Sequence, residues 1–407
     1  MNPSAPDWIL KYLNLFEKEE LLDVFDNDHK FYEALKLTGF VYGASVANIA
    51  YKKLGNLKLT REELTKINLF RALLFQFFQQ NPEASNQDAI PNILSFYRHI
   101  EKGKTGFFQK FSLTHSPSNT LEHIFSARLQ EANSLLKKNT ISLLTYSLLF
   151  LDVLVYKQWQ KNPDSVKAYY IQKEKNVLTA CFYALKSKKK KSKYDKLLIE
   201  LFETSSKYFL DETDIGTATF LESLNYLDDD SDSLEKRYML DLCCLTVWED
   251  LKLDDTEHQF LEQLYVTLNL SEKELNQSLK DLNTFSEKYS EKILLFEYSH
   301  PIKQFYKQSA STVKLLIIRN KSRLTQELAE SGELVVLLRQ STIRDLSAEE
   351  KGKVKEQLLD ICKTIPSLTI FLLPGGTVLL PLLVKFIPKL LPSSFHENRI
   401  DSIKKEK

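Results

Sequence analysis

Between Ile365 and Val384 the chain reads IPSLTIFLLPGGTVLLPLLV, twenty residues without one charge. No other feature limits the fold as much. About twenty predominantly apolar residues are what one helical crossing of a bilayer core requires, at about 1.5 Å rise per residue over roughly 30 Å. In water the same stretch is a poor helix. Pro366, Pro374 and Pro381 recur through it, with Gly375 and Gly376 in the middle. Each interior proline deletes a backbone hydrogen bond and costs about 3 kcal/mol. In lipid a broken helix survives only where protein or water satisfies the freed carbonyls. Three arrangements compete: a kinked single span, a re-entrant hairpin turning at Pro374-Gly375-Gly376, and burial in a soluble core.

The rest of the chain reads as helix. Glycine is rare, ten among 407 residues, and Leu, Lys and Glu abound, which favours an all-α fold. Capping boxes mark helix starts at Thr60–Glu63, Ser271–Glu274 and Ser347–Glu350. Leu69 to Phe78 and Ile141 to Tyr156 are too apolar for surface helices. The second is interrupted by Asp152 and is sixteen residues long, which favours a buried core helix over a span. Only Thr312 to Ile318 and Leu334 to Leu338 are β-branched enough to raise doubt about helix. Pro/Asn/Ser clusters at 81–92, 115–119, 162–164 and 298–301 read as linkers. They divide the chain into an N-terminal helical domain (1–163), a second helical domain (164–298) and a C-terminal region (299–407).

Lys and Arg number 55 against 54 Asp and Glu, so no global charge argues for a nucleic-acid partner. The N-terminus has neither the basic nor the apolar region of a signal peptide. The expectation is a multi-helical cytoplasmic body held at a bacterial inner membrane by the C-terminal segment. Lysines on both sides of that segment leave the orientation rule silent. Cys181, Cys243, Cys244 and Cys362 form no CxxC pair and read as reduced core thiols. The basic run Lys186 to Lys193 reads as a solvated turn, with attraction to anionic lipid as the alternative.

No constellation of nucleophile, base and orienting group is visible, and the expectation is a protein that is not an enzyme. The seven histidines are scattered without metal-ligand spacing. Asp228 to Asp232 resembles a calcium loop at first. Counted from Asp228, however, Ser233 stands where an EF-hand needs glycine, and Met239 where it needs glutamate.

Tyr238 to Leu270, YMLDLCCLTVWEDLKLDDTEHQFLEQLYVTLNL, resembles the tellurite-resistance B-like (TerB-like) helical module. The likeness lies in Asp250 and Glu257 at the module's seven-residue spacing and in the ending Leu268-Asn269-Leu270-Ser271; Leu251 stands where the pattern has glycine. The resemblance implies that Asp250, Asp254 and Glu257 form a carboxylate cluster suited to Ca²⁺ or Mg²⁺. The plainer reading is N-terminal capping of the following helix, with no cofactor.

Leu334 to Phe395 resembles the core of the LETM family, the leucine-zipper/EF-hand-containing transmembrane proteins. The likeness runs through the helix start at Leu346, Ile365-Pro366, Pro374 and Pro381. Its most specific part is the exit Phe386-Ile387-Pro388-Lys389-Leu390-Leu391-Pro392-Ser393-Ser394-Phe395, and above all Phe386, Pro388, Leu391, Pro392, Ser393 and Phe395. In architecture it is most similar to bacterial LETM-related biofilm-associated proteins. Relatives carry a glutamate within the span, whereas this chain has Thr377 there. A proton-coupled exchanger needs such a carboxylate, so cation/proton exchange remains the alternative, not the leading reading. The family's larger soluble region, linked to ribosome binding, is expected beyond Phe395, and this sequence ends twelve residues later. The resemblance implies a non-enzymatic, membrane-anchored protein that binds protein partners or senses a divalent ion at the cytoplasmic face, in envelope or biofilm physiology. Ribosome association is a further alternative, by family analogy.

Overall fold

The computed structural model describes residues 1–49, 57–103, 116–134, 146–191, 199, 216–224, 233–248, 253–289, 313–365, 368 and 380–390. No strand occurs among the described residues, as the all-α reading expects. The chain divides into two compact units, Met1–Pro3 with Asp7–Ile302 and Ser4–Pro6 with Lys303–Lys407.

In the first unit, short helices α1 (Trp8–Leu13) and α2 (Lys18–Leu22) lead into α3 (Asp28–Leu37). Longer helices follow: α4 (Arg61–Gln80), α5 (Asn86–Ile100), α6 (Pro117–Ser134), α7 (Phe150–Lys161) and α8 (Val166–Ser187). The unit continues with α9 (Thr217–Leu224), α10 (Ser233–Val247), α11 (Asp255–Thr267) and α12 (Glu272–Tyr289). Thr60 opens α4 reciprocally: its Oγ1 accepts from the Glu63 amide at 3.2 Å, and Glu63 Oε2 accepts from the Thr60 amide at 2.8 Å. Two stretches read as linkers turn out to contain helix starts. At Ser85 the capping box uses aspartate where the usual signature has glutamate, with the Ser85 amide donating to Asp88 Oδ2 at 2.8 Å. In α6, Pro117 is the first helical residue, where a missing N–H leaves nothing unsatisfied.

One hydrophobic core runs from Trp8 to Phe285. Leu69 to Phe78 in α4 is buried throughout, and α4 packs on α7. Phe31 of α3 stacks on Phe75, with ring centroids 4.1 Å apart. The helix α8 packs against both α7 and α10, and α10 also meets α3, α11 and α12. Cys181, Cys243 and Cys244 lie buried as free thiols in α8 and α10.

The described part of the second apolar run, Tyr146 to Tyr156, is also buried throughout, including the charge that interrupts it. Asp152 is 0% exposed. Arg128 grips it side-on, Nε donating to Oδ2 at 2.9 Å and Nη2 to Oδ1 at 2.8 Å. The hydroxyls of Tyr97 and Tyr170 each donate to it at 2.9 Å. A carboxylate with four charge-assisted donors is fully compensated, which is why it sits in a helix otherwise made for the core.

The second unit has helical residues at 313–319, then α13 (Lys321–Glu330), α14 (Gly332–Gln340), α15 (Ala348–Thr364) and α16 (Leu380–Leu390). The described part of both β-branched stretches is thus helical, because the i, i+3, i+4 pattern of Val313, Leu316, Ile317 and of Leu334, Leu337, Leu338 places each set in this unit's core. Ser347 and Glu350 cap α15 as expected, at 3.2 and 2.7 Å. Arg344 also clasps Glu350 with both terminal nitrogens, at 2.8 and 2.5 Å. That bond, first of all, holds the Glu350 carboxyl down at about 2.

Candidate functional sites

The second unit carries the C-terminal residues that the sequence singles out. Ile365 follows α15 and is buried, and the Leu368 amide donates to its carbonyl at 2.8 Å. On α16, Leu382, Leu383, Phe386 and Ile387 share one helical face and enter the same core as Ile365 and Leu368. Lys385 on the same helix is exposed, and Lys314 Nζ lies 4.7 Å from the Phe386 ring centre. Pro381 falls in the first turn of α16, where no intrahelical N–H is required. Pro388 lies near its end and leaves one carbonyl without its usual donor. Pro366, Pro374, Gly375, Gly376, Thr377, Leu391, Pro392, Ser393 and Phe395 lie outside the described residues. No helix among the described residues is long and apolar enough to cross a membrane.

The candidate cation ligands are only partly within view, since Asp250 lies outside the described residues. Asp254 and Glu257 come together as a capping box at the start of α11. Asp254 Oδ1 accepts from the amides of Thr256 and Glu257, each at 2.9 Å, and Glu257 Oε2 accepts from the Asp254 amide at 2.7 Å. The basic run meets them here: the Lys189 amide donates to Asp254 Oδ2 at 2.9 Å, and Lys188 Nζ is 4.0 Å from Glu257. Burial works against ionisation of Asp254, but the bonds from the Thr256 hydroxyl and from the Glu257, Lys189 and Thr256 amides hold its carboxyl at about 2. These oxygens are occupied by donors of the chain itself. Among the described residues no group of three His, Cys, Asp or Glu side chains is arranged to hold a metal ion.

The sequence reading missed a charged cluster in the first unit. Lys36 of α3 is 1% exposed, and its Nζ lies 2.6 Å from Asp281 of α12, 3.0 Å from Glu33 and 3.4 Å from Asp241 of α10. Tyr32 donates to Asp241 at 2.7 Å. The ammonium group thus sits where a cation would sit among three carboxylates. Desolvation pulls the Lys36 pKa down, but Asp241, Glu33 and Asp281 outweigh it, so the ammonium is favoured. A signal for it exists: Phe31, Tyr32, Leu35 and Lys36 share one helical face, so Lys36 interrupts an apolar stripe.

With this geometry in view, the comparisons fall on one region. Residues 346–407 match the family described as LETM1-like, RBD. The matched stretch opens at Leu346, beside the Ser347 cap, and takes in α15, the apolar run and α16. The C-terminal region is therefore LETM1-like, in agreement with its exit motif. No curated protein and no solved structure matches the chain.

Proposed function

We propose that this chain is a LETM-related, non-enzymatic protein that attaches to a bacterial inner membrane from one face and presents its helical body to protein partners in the cytoplasm. The observation that carries the reading is the shared core of the LETM1-like region. Ile365 and Leu368 before the middle of the apolar run, and Leu382, Leu383, Phe386 and Ile387 after it, belong to one hydrophobic cluster. Leu382 follows Leu368 by only fourteen residues. An out-and-back path of that length reaches at most about 25 Å even fully extended, at roughly 3.3–3.6 Å per residue, and about 10 Å as two helical arms. Both values fall short of the roughly 30 Å bilayer core. Of the three arrangements of this run, one-sided insertion agrees best with its uncharged composition and its jointly packed flanks. Envelope or biofilm physiology and a TerB-like body belong to the same reading and rest on the sequence resemblance, whereas divalent-ion sensing does not, since the oxygens of Asp254 and Glu257 already take donors of the chain.

Single cysteines at Lys363→Cys and Lys385→Cys test it, since both side chains are exposed. In sealed membrane vesicles an impermeant maleimide should reach both positions from the same face. Labelling from opposite faces refutes one-sided attachment, and release of the chain by carbonate without detergent refutes insertion.

A second reading, ribosome association, is favoured by the description of the matched family. Co-sedimentation of the chain with ribosomes at rising salt checks it. A complex lost at modest ionic strength is nonspecific charge attraction and counts against it. Cation/proton exchange lacks a carboxylate between Ile365 and Val384; flux in proteoliposomes that survives Thr377→Val would reinstate that reading.

A further inference from the structure

Three arginines are buried among the described residues: Arg71, Arg128 and Arg237. Two of them face carboxylates of the chain. Arg128 holds Asp152 at 2.8 Å, and Arg237 lies 3.7 Å from Asp241 and 3.8 Å from Glu33, although its Nε and Nη2 also make no hydrogen bond. Arg71 of α4 makes no such ion pair among the described residues, although the Glu20 carboxylate acts on the Tyr12 hydroxyl beside it. It is 3% exposed, and its one hydrogen bond among the described residues runs from Nη1 to the Tyr12 hydroxyl of α1, at 3.0 Å. Nε and Nη2 are shielded from solvent and have no hydrogen-bond partner. These two nitrogens form the side-on edge of the guanidinium, two parallel N–H donors that match the paired oxygens of a carboxylate or phosphate. Arg128 uses this same edge, Nε and Nη2, to hold Asp152.

No described side chain accepts a hydrogen bond from this edge. The Phe16 ring centre lies 5.7 Å from the Arg71 guanidinium carbon, and Tyr12 packs on both Phe16 and Phe70. A guanidinium cannot shed its proton at any physiological pH, so burial cannot be relieved by neutralisation as it is for a lysine. A buried cation with two unmet donors in an aromatic setting is strongly unfavourable unless an anion accompanies it. The Tyr12 hydroxyl accepts from Arg71, which leaves its own proton to donate onward.

We propose that Arg71, with Tyr12 beside it, is a binding site for a small oxyanion, a carboxylate or phosphate group seated on the Nε–Nη2 edge of its guanidinium. The bound ligand stabilises the folded first unit.

Thermal unfolding of the full chain, followed by tryptophan fluorescence, tests this with inorganic phosphate and with acetate, each against chloride at equal ionic strength. All three tryptophans, Trp8, Trp159 and Trp248, lie in the first unit. The midpoint should rise saturably with at least one oxyanion, and the stronger of the two identifies the group the site prefers. Phosphate also stabilises proteins by exclusion from their surface, so the variants decide. Arg71→Met should abolish the saturable rise and should match or exceed the wild-type midpoint in chloride, because it removes an uncompensated charge. Arg71→Lys keeps the charge without the paired donors and should weaken oxyanion binding at least tenfold; it serves equally if the methionine variant does not fold. No saturable rise with either oxyanion in the wild type overturns the proposal. So does a rise that persists at full affinity in both variants.

Discussion

Asp152 offers a sharp test of how this helical body is held together. Asp152→Ala removes the acceptor for Arg128 and for the hydroxyls of Tyr97 and Tyr170 in one step. Stranding one member of a buried ion pair costs about 3–5 kcal/mol. Each hydroxyl left without an acceptor adds about 1–3 kcal/mol. Arg128 keeps its bond to the Tyr170 oxygen at 2.9 Å, which favours the lower end of both ranges. The sum is about 5 kcal/mol, a third or more of the stability of an ordinary domain. Urea unfolding followed by tryptophan fluorescence reads the first unit, and with a slope of about 3 kcal/mol/M the midpoint should fall by roughly 1.5 M. The paired variant Arg128→Met/Asp152→Leu should recover at least half of the loss, because apolar replacement of a whole buried pair is often near neutral. A single variant within about 1 kcal/mol of wild type, or a double variant no better than the single, would refute the reasoning and show that water reaches this cluster.

Three further outcomes follow from the geometry. Glu122 of α6 accepts from the amides of Asp7 and Ile9 at 3.1 and 2.9 Å, yet burial outweighs these bonds and pushes its carboxyl up to about 7. The folded protein then holds a proton that the unfolded chain, at about 4.5, has lost; stability falls as pH rises from about 4.5 to 7, by up to about 3 kcal/mol, and Glu122→Gln should flatten that slope in urea titrations. Gly39 has φ of 82°, and a Cβ there would lie 2.2 Å from the Ala44 carbonyl oxygen and 2.5 Å from Phe285, so Gly39→Ala should cost more than about 2 kcal/mol by the same assay. Asp254→Ala should cost about 1 kcal/mol as the loss of a helix cap, and micromolar Ca²⁺ should stabilise neither it nor the wild type; stabilisation of the wild type alone would favour the cation reading.

The helices were largely legible in the sequence. Thr60–Glu63, Ser271–Glu274 and Ser347–Glu350 each open a helix, because both halves of a capping box lie within three residues and need no knowledge of the fold. Ser85–Asp88 escaped because aspartate takes the glutamate's place, and Pro91 in the middle of α5 made the stretch resemble a linker. The β-branched residues of 313–318 and 334–338 raise a doubt about helix that only their three-four spacing, which puts them in one core, resolves. The apolar run was legible as a length without charge. That its two flanks share a core was not, since nothing in a local window reports contacts made by residues on either side of it.

The charged sites failed to be read for a single physical reason. Asp152, Lys36 and Arg71 all interrupt apolar helical faces, and the sequence marks each as an anomaly without saying what resolves it. The resolving partner lies 24 residues away for Asp152 and 205 for the Lys36–Asp241 contact. At such separations pairing is set by packing, and residue spacing carries no information about it. The three cases then separate by compensation alone. Asp152 has donors on both oxygens, and Lys36 has three carboxylates. Arg71 has one tyrosine and an edge that makes no hydrogen bond among the described residues. A chain that satisfies Arg128 and Lys36 so fully, yet leaves Arg71 open, differs in what it leaves for something else to supply. That difference puts the candidate ligand of the first unit at Arg71, away from the acidic positions that a motif reading selects.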